Sequence, residues 1–181
     1  YARVANTIAE FEPVTVVVDP ADLRLAKTQL GARIELLEMP IDDAWLRDTA
    51  PCFLVNHDGR VGGSDFRFNG WGGKYPKFED DDKIARNILH YLGLPRFSSN
   101  LILEGGGLTV DGEGTLIATE SCLLNRNRNP GWSKSKIDYE LRRVLGVKKV
   151  LWIPGDWEEA ETDGHIDGIA AFVRPGLVLF E

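Results

Sequence analysis

Apolar residues recur along the chain with two periods, one typical of helices and one typical of strands. Tyr1, Val4, Ile8 and Phe11 follow a helical spacing. Short apolar runs bounded by turn residues are typical of strands, and they alternate with longer helical stretches. The pattern therefore predicts a mixed α/β fold. The predicted strands are Val14–Val18, Arg33–Met39, Cys52–Val55, Val61–Asp65, Asn100–Leu103, Leu108–Val110, Thr115–Thr119, Lys149–Ile153, Ile166–Val173 and Leu177–Phe180. Helices are predicted over Ala21–Leu30, Asp81–Leu92 and from Ser133 to Leu145.

The order helix, strand, polar loop and hairpin recurs along the chain with a period of about 55–60 residues. Asp58-Gly59, Asp111–Gly114 and Pro175-Gly176 mark the hairpin turns. Repeating units of this kind cannot bury their apolar faces alone, and periods of this length are typical of propellers. The sequence therefore predicts a propeller-like array with modules at roughly 14–65, 66–120 and 121–181.

The loop before each hairpin carries an ionisable side chain at the same phase of the repeat. These side chains are Asp48, Glu104, and His165 together with Asp167. If Ile166–Val173 is a strand, its period of two places His165 and Asp167 on one face. Equivalent positions of a closed array converge, so we expect three carboxylates and one imidazole to share a central pocket.

Carboxylates that face one another repel unless a cation lies between them. Asp, Glu and His all bind metal ions, so metal-assisted hydrolysis is one interpretation. A planar guanidinium fits paired carboxylates better, because it donates parallel hydrogen bonds to them. Trp45 and Trp71 lie in neighbouring loops and either cover an organic cation or fill the core. Arg47 is expected to form a buried ion pair. Asn125–Arg128 is expected first to form a capped loop, and recruitment of a carboxylate or phosphate is the alternative.

The formal net charge of −7 argues against a nucleic-acid partner. No apolar run approaches the ~18 residues of a membrane span, and Gly105–Gly107 precedes a hairpin rather than the helix of a dinucleotide site. We therefore expect no membrane and no cofactor. Two cysteines without a CxxC motif and no secretory signal favour the cytoplasm. Elements that are under way at both ends predict a fragment, whose exposed apolar strands favour association into a homo-oligomer.

Five segments carry a resemblance to a known family. They are Asp43–Thr49, Phe68–Gly73, Leu103–Gly106, Leu124–Pro130 and Thr162–Asp167. In this order they resemble agmatine deiminases, within the guanidine-modifying superfamily that includes bacterial-type peptidyl-arginine deiminases and arginine deiminase. The resemblance implies a pentein fold, a ring of five ββαβ modules. About three of the five would be present, which makes residues 1–181 a single partial catalytic domain.

The resemblance also implies a reaction in which agmatine and water give N-carbamoylputrescine and ammonia. A cysteine thiolate attacks the guanidinium carbon, ammonia leaves, and water releases the ureido product. Asp48 and Asp167 would hold the guanidinium, and His165 would be the general acid and base, oriented by Glu104. Glu161 and Trp45 would lie beside the small cationic guanidino substrate.

The nucleophile of the family lies in a glycine-rich segment that these residues lack. Cys52 and Cys122 do not occupy its position, and both are interpreted as small apolar residues. The chain is therefore expected to carry the binding and proton-transfer half of a site, without turnover of its own. Gly168 follows His-x-Asp where many agmatine deiminases have asparagine. A peptidyl-arginine or arginine deiminase, or a non-catalytic guanidinium-binding homologue, therefore remains an alternative.

Overall fold

Ten β-strands form four small sheets rather than one continuous sheet. The computed structural model describes residues 1–181, which divide into two units, residues 1–43 and 44–181. The mixed α/β class that the sequence predicts is confirmed. No helix is both long enough and apolar enough to cross a membrane.

The unit of residues 1–43 is built around one parallel strand pair. Helix α1 (Ala2–Ile8) precedes β1 (Thr15–Val18), and α2 (Leu23–Gln29) connects β1 to β2 (Glu35–Glu38). The two strands pair in parallel, since the helix returns the chain to the same end of the sheet. The Asn6 side chain fastens α1 to the end of α2, with 2.8 Å to the Gln29 carbonyl and 2.7 Å to the Gly31 amide.

The unit of residues 44–181 contains the same arrangement twice: a hairpin, then a helix, then a strand parallel to the second hairpin arm. The first set is β3 (Cys52–Val55), β4 (Val61–Arg67), α5 (Ile84–Tyr91) and β5 (Arg96–Ile102), with short helices α3 (Leu46–Thr49) before it and α4 (Gly70–Gly73) inside it. The second set is β6 (Leu108–Val110), β7 (Thr115–Thr119), α6 (Glu120–Leu123), α7 (Lys134–Leu145) and β8 (Lys149–Ile153). A third hairpin, β9 (Ala170–Arg174) with β10 (Leu177–Phe180), follows.

The sheets group each hairpin with the helix and strand that follow it, not with those that precede it. Boundaries drawn at residues 65 and 120 therefore fall within β4 and between β7 and α7. Periodicity along a sequence gives the length of a repeat, whereas the partner of each strand is fixed by hydrogen bonds across the sheet.

The main core lies between α7 and the second sheet. Helix α7 buries Ile137, Leu141 and Val144, which share one face at helical spacing. Its ends are capped as expected: the Ser133 hydroxyl accepts from the Lys136 amide at 3.2 Å, and Gly146 has a φ of 70°. The buried core residues are Leu101, Leu103, Leu108, Leu116, Ala118, Leu123, Ile137, Leu141 and Val147.

Strand β7 is buried on both faces, and its second face carries the site region. Leu116 and Ala118 contact the main core, whereas Ile117 packs with Ile166 and Ala170 in a second cluster. Ile166 follows His165 directly and is fully buried. Burial of Ile166 against β7 therefore fixes the backbone on which the imidazole is mounted.

Two predicted elements differ from the structure. Strand β5 begins at Arg96 instead of Asn100, because pairing with β4 recruits a polar, mostly exposed stretch that no apolar pattern marks. The predicted strand from Ile166 begins only at Ala170, since Ile166–Gly168 forms a 3₁₀ turn closed by the Ile169 amide on the Ile166 carbonyl at 2.9 Å.

The substitution Leu141→Ala is expected to lower the free energy of unfolding by about 2–5 kcal/mol, because it leaves a cavity in a core without exposed surface. Tyr139→Ala on the same helix is the control, since Tyr139 is 65% exposed and should change stability by no more than about 0.5 kcal/mol. Chemical denaturation of both variants measures the difference. Equal effects would contradict this description of the core.

Candidate active site

Four side chains that the sequence places at one phase of the repeat lie together in the structure. Asp48 is on α3, Glu104 follows β5, and His165 and Asp167 flank the start of the 3₁₀ turn. The His165 Nδ1 atom lies 3.9 Å from Asp48 Oδ1 and 4.0 Å from Asp167 Oδ1, and its Nε2 atom lies 3.3 Å from Glu104 Oε2. Asp48, Glu104 and His165 are almost fully buried, whereas Asp167 is partly open to solvent.

The backbone structure that places His165 and Asp167 side by side differs from the prediction. Strand alternation was expected to place them on one face, but neither residue belongs to a strand. The 3₁₀ turn brings the two side chains to the same side instead. The expectation of a strand was wrong because the apolar residues after His165 pack against β7 from a turn as well as they would from a strand.

The His165 ring has distinct partners on its two nitrogens. Nε2 faces the buried Glu104 carboxylate, and Nδ1 faces the two aspartates. Burial by itself raises the pKa of Glu104, but the hydrogen bond from His165 and the charge of Arg128 outweigh burial and lower it. Because an ionised carboxylate only accepts, the proton of this hydrogen bond lies on Nε2. Nδ1 is therefore the ring nitrogen available to a bound molecule.

Asp48 accepts hydrogen bonds from two donors and faces the His165 ring, with no lysine or arginine in ion-pair contact. The Gly106 amide donates to Oδ1 at 2.8 Å, and the Trp71 indole Nε1 donates to Oδ2 at 3.1 Å. Burial raises the pKa of Asp48 even though His165 and these two donors oppose it. A cation bound here would stabilise the charged carboxylate, so the site favours a positively charged ligand.

Gly106 forms the floor of the space between the clustered groups. A Cβ atom at this position would lie 2.5 Å from His165 Nδ1 and 2.8 Å from both Asp48 Oδ1 and Asp167 Oδ2. Such distances are far below van der Waals contact, so only glycine leaves these three groups facing one another. Gly106 is one of the residues that the sequence did not assign to the site.

Trp71 adopts a left-handed backbone conformation, with a φ of 53°, which is unfavourable for a bulky residue. Edge-to-face contacts with Phe68 and Tyr75, at 4.9 and 5.2 Å between ring centroids, hold the indole in place. Its exposed fraction is only 6%. The ring is therefore buried, and its N–H orients Asp48 instead of covering a ligand.

Three other sequence-based assignments have different outcomes. Trp45 is 54% exposed at the start of α3, and its indole makes no hydrogen bond or ring contact in the structure. Glu161 is exposed, and its hydrogen bonds are made by its backbone. The structure therefore does not join either residue to the cluster, and their roles stay predictions. Arg47 lies 3.6 Å from Asp167, but the side chains are 58% and 38% exposed, so the expected buried ion pair is wrong.

Arg128 and Asp163 are members of the site region that sequence reasoning missed. Arg128 is inaccessible to solvent, and its Nε and Nη1 atoms each lie 2.7 Å from a carboxylate, those of Glu104 and Asp163. Asp163 also accepts from Lys74 at 2.9 Å and from Asn127 at 2.9 Å. The alternation of Asn and Arg over 125–128 is the available signal: a capped loop is its first interpretation and recruitment of a carboxylate its alternative, and Arg128 in the structure binds two carboxylates.

The loop before His165 is organised by Glu159. Its carboxylate accepts from the Thr162 amide at 2.8 Å, from the Thr162 hydroxyl at 2.6 Å and from the Gly164 amide at 3.0 Å. The Thr162 hydroxyl oxygen in turn accepts from the His165 amide at 3.1 Å. Burial raises the pKa of Glu159, but these hydrogen bonds outweigh it and lower the pKa to about 2.

Neither cysteine has the environment of a nucleophile. Burial raises the pKa of both Cys52 and Cys122, that of Cys122 well above its ordinary value, so each stays a thiol. Cys122 donates weakly to Glu104 Oε2 at 3.6 Å. Glu104, Cys122 and His165 place metal-ligand atoms within 4.8 Å of one another. Hydrogen bonding and the Arg128 cation already satisfy this group, which favours a proton network over a metal centre.

The whole sequence resembles one family of known proteins. The profile of the Porphyromonas-type peptidyl-arginine deiminase family matches residues 1–181. The chain belongs to this family. Curated relatives include the agmatine deiminase of Ectopseudomonas mendocina, 48% identical over 185 residues, and that of Medicago truncatula, 43% identical over 192 residues; each alignment covers 99% of this chain. It covers 50% and 51% of the two relatives, so the chain spans about half their length.

A solved structure of the same family has the same backbone arrangement. It is the agmatine deiminase of Enterococcus faecalis, described as catalysing its reaction, which superposes with a TM-score of 0.93 at 39% identity. The match covers 98% of this chain and 50% of that one. Relatives of this chain are thus guanidine-modifying hydrolases, and the buried acids and imidazole lie within a fold that such enzymes share.

The stability of the loop of residues 159–165, before the His165 turn, is expected to depend on pH through Glu159. Because its folded pKa lies near 2, below its ordinary 4.5, the stabilisation is complete above about pH 5 and is lost as the pH falls towards 2. Glu159→Gln should remove about 1 kcal/mol at pH 7, after allowance for solvent screening, and should flatten the acid limb of the stability curve. Glu158→Gln, at the exposed neighbouring position, is the control. Thermal melts between pH 2 and 7 measure both, and parallel curves for the two variants would refute the role given to Glu159.

Proposed function

We propose that these residues form the guanidinium-binding and proton-transfer part of an agmatine deiminase. The observation that supports the proposal is the single cluster of Asp48, Asp167, Glu104 and His165, with both aspartates on the open side of the imidazole. The proposed reaction converts agmatine and water to N-carbamoylputrescine and ammonia.

Binding follows from the charges. Asp48 is a buried carboxylate with an elevated pKa and no lysine or arginine in ion-pair contact, and Asp167 is partly open at the mouth of the same space. A planar guanidinium between them donates hydrogen bonds to both and replaces water around Asp48. The bound group stays cationic, which keeps its carbon electrophilic and holds it beside His165.

Proton transfer is assigned to His165 Nδ1. The step begins with protons on both ring nitrogens. Attack by a cysteine thiolate on the guanidinium carbon forms a C–S bond; Nδ1 gives its proton to the departing nitrogen, the C–N bond breaks, ammonia leaves and an amidino-thioether remains. Nδ1 then takes a proton from water as its oxygen attacks the same carbon. Breakage of the C–S bond gives the ureido product and returns the thiolate. By the family resemblance, that cysteine belongs to a segment outside these residues.

Agmatine is the proposed substrate because the relatives at 39–48% identity are named agmatine deiminases. The cations near the cluster are already paired with acids of the protein: Arg128 with Glu104 and Asp163, Lys74 with Asp163, and Arg47 with Asp167. Arginine and peptidyl-arginine are the alternative substrates, and guanidinium binding without chemistry is the alternative function.

The fold proposal goes with the function. Two hairpin–helix–strand sets and a further hairpin support a pentein propeller of which about three of five modules are present. In such a ring the clustered acids would face the axis, and the whole of residues 1–181 would act as part of one catalytic domain. Association of copies through exposed strand edges also stays a prediction.

The function is tested by measuring ureido product from agmatine, free arginine and a peptidyl-arginine with the complete protein, beside calorimetry with agmatine and putrescine. Agmatine should be the best substrate. It should also bind more tightly than putrescine, which has the amine but lacks the guanidinium. Binding without product would leave a guanidinium-binding homologue, and no binding of any guanidino compound would end the proposal.

Gly106→Ala is expected to weaken agmatine binding by about tenfold or more, because its methyl group would occupy the space between His165, Asp48 and Asp167. Gly168→Ala is the matched control, since a Cβ there meets nothing within 4 Å. Calorimetric titration of both folded variants with agmatine measures the two affinities. Similar losses of affinity in the two would show that the centre of the cluster is not where the guanidinium binds.

A further inference from the structure

A second guanidinium, belonging to the protein itself, lies behind the proposed substrate site. The Arg128 side chain has no exposed surface, and Glu104, its nearest carboxylate, has almost none. An unpaired buried charge is strongly unfavourable, so an arginine in this position requires partners that satisfy its donors. Apart from the neighbouring Asn127 side chain, which accepts from Nη1 at 2.9 Å, those partners belong to the segments that carry Glu104 and His165.

We propose that Arg128 is a positioning residue for the deimination, fixing Glu104 and the loop of residues 159–165 in one geometry so that His165 keeps Nδ1 directed at the substrate. This inference rests on the proposed function. Arg128 does not contact the substrate in this proposal, because Glu104 and His165 lie between the Arg128 guanidinium and the two aspartates that hold the substrate.

The contacts of Arg128 reach both supports of the imidazole. Nε donates to Glu104 Oε1 at 2.7 Å, and the other oxygen of that carboxylate faces His165 Nε2. Nη1 donates to Asp163 at 2.7 Å, and Nη2 donates to the Thr162 carbonyl at 3.2 Å. Asp163 has a left-handed φ of 62°, two residues before His165. One planar group thereby holds the acceptor of Nε2 and the backbone that leads to the ring.

The neighbouring loop is shaped to admit this guanidinium. A Cβ at Gly72 would lie 2.2 Å from Arg128 Nη1 and 2.4 Å from Asn127 Nδ2. Asn69 on the same loop donates to the Asn127 carbonyl at 2.8 Å, and Lys74 bonds both Asp163 and the Glu161 carbonyl. The loop that places Trp71 against Asp48 therefore packs directly on Arg128, which links the substrate side of the site to its rear.

The positive charge of Arg128 has a chemical consequence as well as a structural one. It helps to keep Glu104 ionised despite burial, and an ionised Glu104 retains the proton of its hydrogen bond on His165 Nε2. A protonated Glu104 would instead donate to Nε2 and shift the ring to the tautomer with its proton on Nδ1. Loss of Arg128 should therefore impair proton transfer more than substrate capture.

The test compares Arg128→Met and Arg128→Lys in the complete enzyme, with Arg143→Met as the control, since Arg143 pairs with Glu140 on the surface of α7. Kinetics with agmatine across pH and ¹³C NMR of the Glu104 carboxyl are measured for each. Arg128→Met should lower kcat by roughly 10–100-fold with KM within about threefold. Its Glu104 should protonate nearer to neutral pH, and the acid limb of the rate profile should move to higher pH.

Arg128→Lys retains the charge but loses the planar fork, so it should keep Glu104 ionised and recover part of kcat. The proposal is overturned if Arg128→Met leaves kcat unchanged, or lowers it only in proportion to unfolded protein while Glu104 stays ionised. If Arg128→Met does not fold, Arg128→Lys decides: wild-type kcat in that folded variant is the contradicting result. A wild-type enzyme without activity on agmatine would instead refute the proposed function, and the NMR titration would still report on Arg128.

Discussion

Everything in the site depends on keeping Glu104 charged where water cannot reach it. Burial alone favours its neutral form, and the opposing interactions come from two sides, His165 and Arg128. These interactions connect residues far apart in the sequence, since Arg128 lies 24 positions from Glu104 and 35 from Asp163. One buried ion network thus defines how β5, the Asn-Arg loop and the loop before His165 meet. That network therefore determines which side of the imidazole faces the aspartates.

On the opposite side of the ring, the chain keeps a space open between the imidazole and the two aspartates. Gly106 lacks the Cβ that would close the space, and its amide orients Asp48. Trp71 accepts an unfavourable backbone conformation, which costs about 1–3 kcal/mol and persists because Phe68 and Tyr75 fix its ring. Packing elsewhere therefore stabilises a local arrangement whose benefit is the orientation of one carboxylate. Such strain is typical of sites where position matters more than stability.

Much of the fold and of the cluster could be predicted from the sequence. The features that could not be predicted have physical reasons. The clustering of Asp48, Glu104, His165 and Asp167 is predictable because they recur at one phase of a repeat. Strand ends such as those of β6, β7 and β8 are predictable because apolar runs and turn residues bound them. Arg128 was missed because burial of a charge depends on partners distant in sequence. The start of β5 was missed because hydrogen bonds, not apolar side chains, recruit its polar residues. The turn at Ile166 was taken for a strand because burial against β7 gives both the same apolar pattern.

If Asp48 and Asp167 together hold one flat cation in front of His165, a crystal structure of the protein with agmatine bound will show it there. We expect the guanidinium to lie between the two carboxylates, above Gly106, with its carbon facing Nδ1 of His165 and with the Arg128 to Glu104 contact unchanged. Agmatine bound elsewhere on the acidic surface, with the space above Gly106 filled by water, would contradict the account.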